Sequence, residues 1–122
     1  MPKFDEDTQR ALRETKEIAI RTGKHPATSV TIWVVVAGED VFVRSVRGTK
    51  GRWYRDLAGG GPATLEVGGR QVKVQAIPAP DGAEVDRASR EYLVKYRTSP
   101  YAEPMVGAEV LPTTLRLEPA GG

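Results

Sequence analysis

A chain of 122 residues, 39% hydrophobic and 28% charged, is expected to form one soluble globular domain with a buried core, and its composition fits neither a disordered nor a membrane protein. It has no cysteine and a single histidine, which excludes a disulfide framework, a thiolate nucleophile and a sulfur-ligated zinc site. The formal net charge of +2 conceals a division: Val41 to Arg55 contains Arg44, Arg47, Lys50, Arg52 and Arg55 without one acid, so all 16 acidic residues lie elsewhere.

Asp5, Asp7 and Thr8 supply capping groups ahead of Gln9–Glu14, which predicts a short helix with Leu12 as its main apolar residue. The charged stretch from Met1 to Arg13 has no apolar core of the kind a secretory leader needs, so a cytoplasmic location is expected. Lys16–Thr22 is open to helix or strand; Ile18 and Ile20 alternate and lead into turn residues, which favours a strand. Gly23–Ser29 has turn composition and places His25 on a surface turn rather than in a catalytic group. Val30–Val36 is almost wholly β-branched or aromatic, the composition of a strand covered on both faces, and Val41–Val46 is its hairpin partner across the turn Ala37–Asp40. Trp53–Leu57 reads as one helical turn, ended by Gly59–Pro62. A second hairpin joins Ala63–Val67 to Arg70–Ile77 across Gly68 and Gly69, with Val72, Val74 and Ala76 on one face. After a loop at Pro78–Gly82, Asp81 and Glu84 offer a capping box for a helix running to about Arg97. Val85, Ala88, Ser89, Tyr92 and Tyr96 form its sheet-facing stripe. Ser99–Gly107 is an irregular loop, Leu111–Leu117 the last strand, and Glu118–Gly122 a frayed tail. Six strands, two helices and no βαβ alternation predict a mainly β fold, a closed or partly closed six-stranded antiparallel barrel over residues 1–122.

The cationic segment is the candidate site. Guanidinium forks and a lysine point charge bind phosphate oxygens, Gly48 and Gly51 permit close backbone approach, and Ser45 and Thr49 add hydroxyls. Trp33, Trp53 and Tyr54 are available as the wall for a ring. The competing explanation is a charged strand edge that discourages pairing.

The stretch from Thr31 to Gly48, followed by Arg52-Trp-Tyr-Arg55, resembles a bacterial family known only as a domain of unknown function. More widely it is similar to the split β-barrel flavin and deazaflavin binders, which include deazaflavin-dependent nitroreductases and pyridoxamine phosphate oxidase-like proteins. The resemblance spans about Lys16 to Pro119 and implies a split, FMN-binding-like barrel. It implies that Arg44, Ser45, Arg47, Gly48 and Lys50 hold cofactor phosphates, with Trp53 and Tyr54 as the aromatic pair that follows. The chain departs from the deazaflavin enzymes where Val46 and Arg47 precede Gly48, and where Arg55-Asp56-Leu57 follows Tyr54. The expectation is therefore a protein that binds FMN or a deazaflavin, acting as an oxidoreductase on a small organic substrate, with Tyr54, Lys95 and Tyr96 as candidate proton donors and a second copy closing the pocket in a homodimer. The alternative is a non-catalytic module for an anionic ligand such as haem or a nucleotide. Nucleic-acid binding is disfavoured because the basic patch is one compact loop, and no membrane partner is expected.

Overall fold

The computed structural model describes residues 3–78 and 81–120. Asp5 opens the first helix, its carboxylate accepting the Thr8 amide at 2.7 Å, so α1 runs Glu6–Glu14 with Leu12 buried. That start is earlier than Gln9 because the capping residue is Asp5 rather than Asp7 or Thr8. Lys16–Thr22 resolves as a strand, β1 at Glu17–Thr22, whose Ile18 and Ile20 point inward.

Five further strands follow: β2 His25–Ala37, β3 Asp40–Val43, β4 Gly61–Val67, β5 Arg70–Pro78 and β6 Leu115–Pro119. All pairings are antiparallel, and the order β1-β2-β3-β6-β5-β4 closes on itself through β4 and β1. β4 returns to lie beside β1 rather than continuing the meander, a Greek-key connection. The six-stranded antiparallel barrel expected from the sequence is therefore the fold. Among the described residues it carries three α-helices rather than two helices, since the expected single turn at Trp53–Leu57 is a short helix, α2 Arg52–Leu57.

Side chains alternate between two cores. Ile18, Ile20, Val34, Val41, Leu65, Val74 and Leu115 fill the barrel, while Val35, Ala37 and Phe42 face outward under Ala88 and Tyr92 of α3, Gly82–Lys95, and Tyr96 at its C-cap. Both faces of β2 are covered between Val34 and Ala37, which explains its unbroken apolar run. Asp81 accepts the Glu84 amide at 2.8 Å. The Glu84 carboxylate does not reach back to complete a capping box; it takes the Arg116 guanidinium at 2.7 and 2.9 Å.

Several boundaries differ from expectation. Only Gly23 and Lys24 turn between β1 and β2: Thr22 pairs with His25, and the register then jumps to Ile20 opposite Val30, so Pro26–Ser29 bulges outward within the strand. His25 is exposed, as expected, but it begins β2 rather than lying in the turn, and its ring is engaged. Its Nδ1 donates to Asp56 Oδ2 at 2.6 Å, and Thr22 Oγ1 donates to the same oxygen at 2.7 Å. Burial pushes the Asp56 carboxyl up, but the bonds from Thr22 and His25, with the charges of His25 and Lys24, outweigh it and hold the group below its ordinary value. β3 stops at Val43 rather than Val46. Leu111–Thr113 is a 3-10 turn, so the last strand begins at Leu115. Glu118 and Pro119 belong to that strand, and the Ala120 amide donates to the Lys73 carbonyl at 3.0 Å, so the described part of the expected tail is anchored. Gly121 and Gly122 of that tail, and Ala79 and Pro80 of the expected loop, lie outside the described residues.

Candidate functional site

β2 pairs with β3 only from Val34 to Ala37. Over Val30–Trp33 it keeps β1 on one edge and has no strand on the other, because the chain leaves the sheet after Val43. Into the gap between that open edge and the segment from Arg44 to Trp53 opens a cavity of about 600 Å³, within the size range of small-ligand sites. Val30, Ile32, Trp33 and Trp53 give it apolar wall, Arg47 and Arg52 line it from the loop, and Tyr101 and Met105 line it from the chain after α3.

Of the residues expected at the site, the cavity gathers Trp33, Arg44, Ser45, Arg47 and Trp53. Trp33 stacks on Tyr96 with ring centroids 3.8 Å apart and planes 2° from parallel, so it is a braced wall. Trp53 is mainly core, 8% exposed. Gly48, Lys50 and Tyr54 do not line the cavity. Gly48 instead turns the loop, its amide donating to the Ser45 carbonyl at 2.9 Å with φ at +66°, where glycine is favoured. Lys50 is exposed, and the Tyr54 hydroxyl donates to the Pro112 carbonyl at 3.4 Å.

Arg44 is different from the other cations. It is 1% exposed, and its guanidinium donates to Thr114 Oγ1 at 2.8 Å, the Met105 carbonyl at 3.0 Å and the Val85 carbonyl at 2.8 Å, lying 5.2 Å from the Tyr92 ring centroid. Burial pushes its guanidinium below its ordinary value, with the neighbouring Tyr92 opposing. Arg44 thus forms part of the cavity floor while its donors tie the barrel to α3 and the following loop. Beside it, the Ser45 amide donates to Thr113 Oγ1 at 3.0 Å. The Ser45 hydroxyl is buried without a hydrogen-bond partner among the described residues. Gly51 lies so close that a Cβ there would stand 2.5 Å from Ser45 Oγ. The Ser45 hydroxyl is thus packed against Gly51, and Arg47 and Arg52 are exposed on the cavity lining nearby.

Lys95 and Tyr96 are not placed as proton donors to the cavity, which neither lines. Lys95 Nζ donates to the carbonyls of Leu12 at 2.9 Å and Val34 at 2.7 Å, and the Tyr96 hydroxyl donates to the Lys16 carbonyl at 2.6 Å. They clamp α3 onto α1, β2 and the start of β1. Burial pushes the Tyr96 phenol up to about 12, the Val34 backbone opposing and the charge of Glu17 adding to it. Burial pushes the Lys95 amine down to about 8, against the charge of Glu91. Between that value and the ordinary 10.5 the folded state binds fewer protons than the unfolded chain, so stability rises with pH across that window. Urea midpoints at about pH 7.5 and about pH 9.5 read this rise, and Lys95→Met flattens it.

Sequence reasoning missed Glu17, Tyr101 and Met105 as cavity residues and carried Arg52 only as one cation of the candidate segment. Glu17 pairs opposite Trp33, so it was findable from strand register; Tyr101 and Met105 arrive from a loop without periodicity.

Among the described residues no group of three or more His, Cys, Asp or Glu side chains is arranged to hold a metal ion, and no helix is long and apolar enough to cross a membrane. The molecule is thus a small antiparallel barrel whose open sheet edge, arginines and stacked tryptophan surround one ligand-sized cleft. The chain belongs to the family described as "uncharacterized protein conserved in bacteria (DUF2255)", whose profile matches residues 9–117. Neither a curated protein nor a solved structure matches it.

Proposed function

We propose that the cleft binds FMN or a deazaflavin, and that the protein is an oxidoreductase acting on a small organic substrate. One observation carries this reading: a cavity of about 600 Å³ is lined by two exposed arginines, Arg47 and Arg52, together with Ser45 and the braced Trp33. The residues fit the group. Arg47 and Arg52 suit a phosphate, and Trp33 with Ile32 and Val30 offers an apolar face to a ring. When bound, such a cofactor supplies hydride transfer, and the protein's part is to bind and orient it. The expected homodimer draws support from the rim, where Val46 and Tyr101 expose 59% and 64% of their surface beside the cleft.

Titration of the purified protein with FMN and with a phosphorylated deazaflavin, followed by ligand fluorescence, is expected to give micromolar affinity or better for one of them. Arg47→Ala and Arg52→Ala each weaken it roughly tenfold or more, since a hydrogen bond to a charged group contributes about 1.5–3 kcal/mol. Absence of binding to both compounds overturns the proposal, and haem and a nucleotide titrated alongside identify the binding-module alternative. Light scattering of the loaded sample is expected to return twice the chain mass.

A further inference from the structure

The cleft is lined by charges of both signs. Arg47 and Arg52 line it from the loop, and Glu17 lines it from β1. Among the described residues none of the three joins an ion pair within 4.0 Å, although seven other acidic side chains do. Charges of opposite sign that share a cavity without pairing leave a field across it. Glu17 stands directly opposite Trp33 in the β1–β2 register, on the outer face of the sheet because Ile18 beside it points inward. The indole is held in place by its stack on Tyr96, and the exposed ring of Tyr101 lines the same cleft. A free carboxylate beside aromatic rings is the chemistry that recognises an organic ammonium group: the carboxylate supplies the counter-charge and the ring quadrupole adds attraction.

We infer that the Glu17–Trp33 wall is an ammonium subsite and that the small-molecule substrate is an amine in its cationic form. This rests on the flavin reading for its division of the cleft: an anionic cofactor takes the arginine side, leaving the acidic and aromatic side to the substrate. Glu17 is exposed, so its replacement leaves the fold intact.

The test compares 2-phenylethylamine, protonated near neutral pH, with the neutral 2-phenylethanol, each titrated calorimetrically into the protein with and without FMN or the deazaflavin. The amine is expected to bind at least tenfold more tightly than the alcohol, and Glu17→Gln to erase that preference while leaving cofactor affinity unchanged or improved. Glu17→Lys is expected to reverse the preference. Equal binding of the two probes, no binding of the amine, or a preference that survives Glu17→Gln overturns the ammonium subsite even if the cofactor binds. Cofactor titrations that fail while the amine preference and its loss in Glu17→Gln persist overturn the flavin reading and leave the subsite standing.

Discussion

Arg44→Met is expected to lower the unfolding free energy by about 3–5 kcal/mol, because three acceptors lose a charged donor together and each charged hydrogen bond contributes about 1.5–3 kcal/mol before the relief of desolvating the cation is subtracted. Thr114 Oγ1 and the carbonyls of Met105 and Val85 belong to three separate stretches of chain, and Arg44 is where they meet. For a domain whose whole stability is about 5–15 kcal/mol, such a loss lowers Tm by roughly 10–20 °C. Thermal unfolding followed by circular dichroism measures it, and a loss under about 1 kcal/mol would show that the neighbours repack or hydrate easily. Arg44→Lys is expected to recover little, since one ammonium cannot span the positions that a planar fork reaches. An Arg44 variant therefore disturbs the fold itself, so the test of the proposed phosphate binding belongs to Arg47 and Arg52.

Arg44 also marks where the sequence stops being legible. Its place in a run of five bases reads as surface charge, and only contacts with Val85 and Met105, 41 and 61 positions along the chain, reveal a buried tie. The strands were legible because their chemistry is local. Ile18 and Ile20 alternate, Val72, Val74 and Ala76 share one face, and double glycine at 68–69 sits where the backbone needs positive φ. The end of β3 was not, since Arg44 to Val46 keeps a strand-like composition while the buried tie of Arg44 draws the chain off the sheet. The cleft follows from that departure. Within it, Trp33, Ser45 and Arg47 were recognisable by residue type, whereas Glu17 was passed over because a segment without acids does not reveal the acid facing it from a neighbouring strand. His25 was read by its turn-forming neighbours, and its partner Asp56 comes from α2, a helix expected to be only one turn.

Gly51→Ala is expected to cost about 1–3 kcal/mol, the range for overpacking a filled site, and Ser45→Ala made in the same chain is expected to cancel that cost. The clash is with one atom: the added Cβ meets Ser45 Oγ at 2.5 Å but Ser45 Cβ at 3.6 Å, an ordinary contact. The backbone does not resist, since Gly51 has φ −63° and ψ 131°, which alanine adopts freely. Ser45→Ala alone is expected to be neutral or stabilising by up to about 1 kcal/mol, because the hydroxyl it removes has no partner among the described residues. The double variant then stands within about 0.5 kcal/mol of the parent, and urea denaturation of all four proteins gives the coupling energy directly. Additive costs would mean that Gly51 is required for something other than the space beside Ser45.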